Sequence, residues 1–436
     1  MAGKPPVVIL CGGKGTRLKA VAGDRPKPMV AVHDRPVLEH LVEMCRREGF
    51  LELHLMEGYL AEQIRDYFGD GSRWGVRLHH HPERTPLGTA GSISAIQDGL
   101  ADEFVVLYGD VYMNLSLDRL VDFHRRKGGA ATLVVHPNSH PHDSDLIEFD
   151  EQRRISAFHR KPHPVGQMFS NQVNAGAYVL TRSVLHGVPA DRIVDFGHDV
   201  FPESSRSLPF FAYPTFEYMK DMGTPERLDR VSRDLRAGIP EARRYDEPPR
   251  AVFFDRDGTI NRFVPFLDKK SDFAMLPGVP DALRRLNQSE WLSVLTTNQP
   301  QVARGQLTLA ELKEIHTAME WTLGTAGSYF DGIYFCPHHP DKGFLGERPE
   351  FKIECECRKP GAGMYRQAAT DMNIDLAQSV VIGDTERDIA AGHKIGARTI
   401  LVLSGETSDP SVLKTRPDFV AQDVGEAVRL VLERHS

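Results

Sequence analysis

Short apolar runs, several of them ending on a glycine or an aspartate, alternate with longer amphipathic stretches along the whole chain. They are VVILCGG, FVVLYGD and ATLVVH in the first half, then AVFFDRDG, LSVLTTN and SVVIGD in the second. Strands buried on both faces read as continuous apolar runs, and parallel neighbours need a crossover between them, usually a helix. The alternation therefore predicts an α/β fold built on parallel sheets. At 436 residues the chain exceeds what one hydrophobic core ordinarily serves, so two domains are expected. The stretch LRAGIPEARRYDEPPR, residues 235–250, is rich in proline, glycine and charge and lacks apolar periodicity. It reads as the joint, with a first domain over 1–238, a linker over 239–248 and a second domain over 249–436. The halves share no motif, which argues against duplication.

Composition narrows the class of partner. Hydrophobic residues make up 41% and charged residues 26% of the chain, and no apolar run approaches the roughly 20 residues of a membrane span. The opening MAGKPPVVIL passes directly into a strand-like run with no cleavage site, so a cytoplasmic protein is expected. A net charge of −7 without a long basic block argues against nucleic acid and for small-molecule substrates. A homo-oligomer is allowed by the sequence and not required by it.

In the first half, LCGGKGTRL follows a buried-strand run and places Gly12, Gly13 and Gly15 in one turn. Glycines let backbone N–H groups approach phosphate oxygens. The turn is neither a Walker A loop nor a G-x-G-x-x-G fingerprint. Ten residues after Arg17, Lys27 stands in RPKPMV, stiffened by flanking prolines. With these motifs the chain resembles the sugar-nucleotidyltransferase family, whose signature is G-G-x-G-T-R-L followed by P-K-P-M. The resemblance covers about residues 5–238 and continues through PLGTAG at 86–91, YGD ending at Asp110, RKP with Lys161, NAGAY at 174–178 and KDMGTPERL with Asp221. One departure is KAVAGD, where the family usually has Pro-Leu-Thr.

The resemblance implies a Rossmann-like, three-layer domain of the glycosyltransferase A type. In it a sugar 1-phosphate attacks the α-phosphorus of a nucleoside triphosphate and pyrophosphate leaves. Charge neutralisation and alignment are then the protein's task. It implies catalytic roles for Arg17 and Lys27. The nucleotide would lie against Leu10, Gly12, Gly13, Gly15, Thr16, Arg17, Gly88, Thr89 and Asp110, the sugar phosphate against Lys161, Asn174 and Gly176, and Mg²⁺ would be held by Asp110 and Asp221.

In the second half, AVFFDRDGTIN is a buried strand ending in two aspartates spaced D-x-D. One carboxylate can attack phosphorus while the other protonates the leaving oxygen and later activates water. Together with LTTNQ, RKPG and VIGDTERD, this resembles the haloacid dehalogenase phosphatases, a second Rossmann-like, three-layer fold. The resemblance implies Asp255 as nucleophile, Asp257 as general acid and base, and Thr297 and Lys359 on the transferring phosphoryl group. Mg²⁺ would be held by Asp255, the main-chain carbonyl of Asp257, and Asp384. Asp388 is expected to support the site by hydrogen bonding.

Three of the five cysteines fall within 22 positions. Cys336-x-His338 and Cys355-x-Cys357 make two chelating pairs with the donor set of a closed, structural zinc site, one Zn²⁺ per chain. His339 competes with His338, and unrelated reduced thiols are the plain alternative. A disulfide is disfavoured by geometry and compartment. DRDGTIN, TNQ followed by ARG, and this loop running into CRKP resemble the heptose bisphosphate phosphatases and the related histidinol phosphatases over about residues 249–405. That resemblance prefers His338 for its C-x-H spacing and implies substrate contacts from Asn298, Arg304, Arg358 and Lys359. Pro300-Gln301 stands where the heptose enzymes have Ser-Gly.

Joined, the two resemblances imply removal of the 7-phosphate of a heptose 1,7-bisphosphate and nucleotidyl transfer, GTP favoured, to the heptose 1-phosphate. Two other readings remain. One is a mannose or other hexose 1-phosphate nucleotidyltransferase fused to a histidinol-phosphate-like phosphatase. The other has one half as a non-catalytic binding module.

Overall fold

The computed structural model of the chain describes residues 3–13, 23–343 and 345–433. It separates into two compact units. One comprises the chain up to His136 with Ser144–Lys161 and Gln172–Arg244. The other comprises Pro137–Asp143, Pro162–Asn171 and the chain from Tyr245 onward.

The first unit is built on a nine-stranded sheet: β1 (Val7–Cys11), β2 (Glu52–Glu57), β3 (Arg77–Pro82), β4 (Glu103–Tyr108), β5 (Ala131–His136), β6 (Leu146–Phe149), β7 (Ile155–His159), β8 (Val173–Thr181) and β9 (Phe210–Pro214). The order is β7-β6-β8-β4-β1-β2-β3, with β5 lying between β8 and β9. Strands β4, β1, β2 and β3 are parallel, and β8 runs antiparallel to β4. Alternation along the strands feeds two cores. Val7, Ile9, Leu53, Leu55, Val105 and Leu107 join one, while Val8, Met56, Phe104 and Val106 join the other.

Helices α1 (Val37–Arg47), α2 (Ala61–Phe68) and α4 (Leu117–Lys127) cover the first face, whereas α3 (Gly88–Ser94) covers the second. Each Val, Leu or Ile fully withdrawn from water contributes about 1.5–3 kcal/mol, so both layers of helix are held to the sheet. A separate ribbon pairs Val111–Asn114 antiparallel with Tyr218–Asp221, setting Asp221 opposite Val111. Helix α5 (Pro225–Arg236) follows, started by Thr224, whose side chain accepts from Arg227 N, and by Pro225 in its first turn.

The second unit has a six-stranded sheet of β10 (Ala251–Phe254), β11 (Leu292–Asn298), β12 (Gly332–Cys336), β13 (Val380–Gly383), β14 (Arg398–Val402) and β15 (Phe419–Ala421). The order is β12-β11-β10-β13-β14-β15, with every neighbouring pair parallel. The chain steps away from β10 first to one side and then to the other. Loops therefore part at the carboxyl end of β10, the place where open parallel sheets form a ligand crevice. Helices α6 (Val279–Leu286), α7 (Leu309–Thr325) and α10 (Val424–Glu433) share a core with Val252, Phe254, Leu295, Ile382 and Ile400. Helices α8 (Gly363–Met372) and α9 (Glu386–Lys394) complete the unit. Both units are α/β, and no helix among the described residues is long and apolar enough to cross a membrane.

Candidate active sites

In the first unit the motif residues gather at the carboxyl edge of β1 and β4. Leu10 pairs with Tyr108, and Gly109 N donates to Leu10 O at 3.0 Å. Gly12 and Gly13 therefore leave the sheet beside Asp110. Gly15, Thr16 and Arg17 lie outside the described residues. Lys27, in a short 3₁₀ turn, pairs its ammonium with an oxygen of Asp110. Met222 N donates to Asp110 O at 3.3 Å, so the ribbon brings Asp221 next to Asp110 across 111 residues of sequence. Asp221 Oδ1 accepts from Arg227 Nη1 at 2.7 Å and from Gly223 N at 3.0 Å.

The sugar-side residues approach from β8. Gly176 has φ +72°, and a Cβ there would stand 3.0 Å from Tyr108 Cγ. Asp145 joins Lys161 to Asn174, its carboxylate accepting from Lys161 N at 3.0 Å and its carbonyl from Asn174 N at 2.9 Å. Gly88 opens α3 at φ +75°, where a Cβ would lie 2.5 Å from Val194 O. Only glycine fits there. Thr89 Oγ1 donates to Asp195 Oδ2 and accepts from Phe196 N, both at 2.8 Å. Asp145 and Asp195 were not singled out in the sequence; neither stands in a motif, and each acts by holding a residue that does.

In the second unit Asp255 follows β10, Thr297 and Asn298 end β11, and Asp384 follows β13. They line one cavity of about 290 Å³ together with Asp257, Arg304, Arg358 and Lys359. Lys359 is buried with its ammonium 2.8 Å from Asp255 Oδ1 and 2.5 Å from Asp388 Oδ1, and it donates to Thr296 O at 2.9 Å. Burial alone would lower the Lys359 pKa, but Asp255 and Asp388 reverse this and raise it. Asp388 also accepts from Thr385 N and Oγ1 at 3.1 and 2.6 Å, capping α9. Asn298 is bonded to the main chain of Lys359, donating from Nδ2 to its carbonyl at 3.0 Å and accepting its N–H at 2.9 Å.

Asp257 sits in a different field. Burial pushes its carboxyl up, yet Arg256, Asn261 and Gln299 together hold it below the ordinary carboxylate range. Arg256 Nη2 reaches both oxygens at 3.0 and 2.9 Å, and Asn261 Nδ2 and Gln299 Nε2 each donate at 3.0 Å. Gln299 Nε2 also donates to Thr297 Oγ1 at 2.9 Å. Arg256, Asn261 and Gln299 stand inside the quoted motifs, so their nearness was readable, but their convergence on one carboxylate was not.

His316 of α7 backs this network, its Nε2 accepting from Arg256 Nη1 at 3.3 Å. Burial first, then the Arg256 guanidinium, holds its pKa down to about 3 from 6.5. The neutral form is thus favoured in the folded chain. Its contribution to stability is complete above pH 6.5 and is lost as the pH falls towards 3. Urea midpoints are expected to drop across that window and to drop less in His316→Gln. Equal slopes for the two proteins would show that His316 is not the titrating group.

The acids of this site form a donor set for a hard cation. Asp255, Asp384 and Asp388 offer oxygens within 4.8 Å of one another. Asp384 Oδ1 is buried with no hydrogen bond, while Oδ2 accepts from Glu406 N at 2.7 Å. Burial, then Asp255 and Asp388, push its carboxyl up to about 8. A Cβ on Gly258 or Gly405 would overlap that carboxylate, so two glycines make room for it. An orphaned oxygen among crowded acids fits Mg²⁺. In the first unit Asp110 and Asp221 stand on neighbouring chain segments, one carboxylate paired with Lys27 and the other with Arg227, and carboxylate oxygens are the donors a hard cation takes.

Cys336, His338, Cys355 and Cys357 converge. Sulfur–sulfur distances are 3.1, 3.1 and 3.5 Å, and His338 Nδ1 stands 3.3 Å from Cys357 Sγ and 3.7 Å from Cys336 Sγ. Thiolates about 2.3 Å from a tetrahedral zinc stand about 3.8 Å apart, and a thiolate and an imidazole nitrogen about 3.5 Å, so the sulfurs here are drawn together somewhat more tightly than around an ion. His339 turns elsewhere, its Nδ1 accepting from Asp341 N at 3.2 Å.

Two α/β units with cations and acids gathered at the carboxyl edge of a parallel sheet define an enzyme of phosphoryl chemistry. Residues 6–238 match the family described as nucleotidyl transferase, and residues 356–427 the family described as HAD-hydrolase-like. A mannose-1-phosphate guanylyltransferase of Mycobacterium tuberculosis is 34% identical over 235 residues, 53% of this chain and 65% of that protein. A D-glycero-beta-D-manno-heptose-1,7-bisphosphate 7-phosphatase of Haemophilus ducreyi is 40% identical over 159 residues, 36% of this chain and 85% of that protein. The solved HddC of Yersinia pseudotuberculosis complexed with GMP-PN aligns at 27% identity and a TM-score of 0.47, over 53% of this chain and 100% of that one. The chain belongs to the nucleotidyl transferase family, and its C-terminal part to the family of the heptose-bisphosphate phosphatases. It is a fusion of a nucleotidyltransferase domain and a haloacid dehalogenase-type phosphatase domain, and it spans 65% of the length of the guanylyltransferase it matches.

Proposed function

We propose that the chain performs two consecutive steps. It removes the 7-phosphate of D-glycero-D-manno-heptose 1,7-bisphosphate, then transfers a nucleotidyl group, from GTP by preference, to the resulting heptose 1-phosphate, giving GDP-heptose and pyrophosphate. One observation carries this reading: a nucleotidyl transferase half shares a chain with a half 40% identical to a heptose-bisphosphate phosphatase over 85% of that enzyme. The product of the second half carries the anomeric phosphate that the first consumes. The guanylyltransferase relative supports GTP, while a uridylyltransferase relative at the same 34% identity makes UTP the competing donor.

In the phosphatase step an Asp255 oxygen bonds to phosphorus as the bond to the C7 oxygen breaks, and Asp257 protonates that oxygen. Water then attacks the aspartyl phosphate, Asp257 takes its proton, and phosphate leaves with Asp255 restored. The ionised Asp257 of the resting site suits the second half-reaction; the negative charge of an arriving phosphate favours the protonated form that the first requires. Lys359 and Thr297 bind the phosphoryl oxygens, while Arg304, Arg358 and Asn298 line the wall that meets the rest of the substrate. Asp255, Asp384 and the main-chain carbonyl of Asp257 would hold Mg²⁺, which offsets the repulsion between a carboxylate nucleophile and a phosphate.

In the transfer step Lys27 and Arg17 neutralise the triphosphate and its leaving pyrophosphate. Leu10, Gly12, Gly13, Gly15, Thr16, Gly88 and Thr89 cradle the nucleotide, and Lys161, Asn174 and Gly176 face the sugar phosphate. Asp110 and Asp221 would hold a second Mg²⁺. The cysteine loop would hold a structural Zn²⁺. The loop is expected to contribute about one equivalent of zinc per chain by elemental analysis, and the zinc content to fall by about that equivalent in Cys355→Ser; unchanged zinc content in that variant would exclude the ligand set.

The test of the whole is incubation with either anomer of heptose 1,7-bisphosphate, Mg²⁺ and each of the four nucleoside triphosphates, followed by mass analysis. A GDP-heptose peak is expected. Refusal of both anomers alongside turnover of mannose 1-phosphate would favour the hexose reading, which the guanylyltransferase relative supports.

A further inference from the structure

Away from the first unit's glycine turn, histidines stack on the edge of its sheet. The parallel register of β2 and β3 sets Glu52 beside Arg77, His54 beside His79, and Met56 beside His81. Side chains alternate along a strand, so Glu52, His54, His79 and His81 share one face. The His54 ring is stacked on His79 with centroids 4.6 Å apart and on His81 at 5.2 Å. His80 points the other way, its Nδ1 2.5 Å from Glu57 Oε1 and its Nε2 2.6 Å from Gly69 O.

Three donor atoms converge on this face. Glu52 Oε1 is 3.5 Å from His79 Nε2 and 4.0 Å from His54 Nε2, and ligand atoms of all three residues lie within 4.8 Å of one another. His79 Nε2 is buried without a hydrogen bond. His54 Nδ1 lies 3.0 Å from His81 Nε2.

We propose that Glu52, His54 and His79 form a binding site for a divalent transition-metal ion, zinc or its copper substitute, with His81 as a positioning residue. Two imidazoles and a carboxylate are a donor set zinc accepts. Nitrogen and oxygen ligands about 2.0 Å from a tetrahedral ion stand about 3.3 Å apart, and the Glu52 side chain, 54% exposed, has the freedom to close the remaining gap. The tautomer in which His54 Nδ1–H donates to His81 Nε2 leaves the Nε2 lone pair of His54 free for the site, the arrangement that orients metal-bound histidines. Three protein ligands leave a coordination position for water or an exogenous group. Glu52 opens β2, and the catalytic glycine turn adjoins its other end, roughly 16 Å away at about 3.3 Å per residue.

The untagged full-length chain, saturated with zinc at the cysteine loop and desalted, is titrated with Zn²⁺ by calorimetry and with Cu²⁺ by electron paramagnetic resonance. A second equivalent of zinc is expected. It should weaken at least about 10-fold in His79→Gln and in Glu52→Gln, and about 10-fold or more in His81→Asn. It should persist in Cys355→Ser. The Cu²⁺ spectrum should show nitrogen splitting that His79→Gln diminishes. Glu52 and His79 are partly exposed, so these variants are expected to fold, with circular dichroism as the check. Absence of a second equivalent, or unchanged affinity in both His79→Gln and Glu52→Gln, would overturn the site.

Discussion

Asp255→Asn is expected to lower phosphate release from heptose 1,7-bisphosphate by at least about 10³-fold, because an amide in place of the attacking carboxylate is a far weaker nucleophile. The change is close to isosteric. Lys359 keeps Asp388 and the Thr296 carbonyl as partners, so the ammonium stays in place while the chemistry is lost. Pyrophosphate release from supplied heptose 1-phosphate and nucleoside triphosphate should be unchanged, since Asp255 belongs to the other sheet. A variant that still released phosphate at the parent rate would remove Asp255 from the mechanism. Trapping of the aspartyl phosphate by rapid quench in the parent, absent in the variant, is the accompanying signature.

Asp110→Ala should do the converse. Loss of a preorganised charge beside a reacting phosphate costs about 10²–10³-fold in rate. Here the substitution also strips Lys27 of the carboxylate it pairs with. Pyrophosphate release is expected to collapse while phosphatase turnover stays at the parent level. Parent-level nucleotidyl transfer would show that the cation is held elsewhere. Together the two variants divide the protein into separately inactivated halves, and a mixture of them should restore GDP-heptose formation from the bisphosphate if the intermediate is released to solution.

Much of the architecture was legible because it is local. Apolar runs, several of them closed by Gly or Asp, gave the strands. Motif spacing named Asp255, Thr297, Lys359 and Asp384, which the parallel order β11-β10-β13 then sets side by side. What escaped the sequence is contact made at long range. Nothing within RDGTIN says that Arg256 turns back on Asp257 and leans on His316, 60 residues on. The crowding of Asp384 by Gly258 and Gly405 depends on a loop that returns only after β14. The histidine ladder was hidden in another way. HHH at 79–81 looks like a single cluster, yet strand alternation sends His80 to Glu57 and recruits His54 from the neighbouring strand.

The clasp between Asn298 and the main chain of Lys359 has a consequence for how far changes in the preceding loop are felt. The cysteine loop leaves the sheet at Cys336 and re-enters the site at Lys359, and both anchor points are fixed by the scaffold, one by a strand end and the other by two hydrogen bonds. Between those anchors the loop is also tied to itself and to the scaffold, His339 N donating to Phe351 O at 3.1 Å and Arg348 N to Ala303 O at 3.0 Å. Lys359, by contrast, is held by Asn298, Asp255 and Asp388, none of which belongs to that stretch. Substitutions between His339 and Phe351 therefore act first on the loop's own packing and reach the lysine only through its ends.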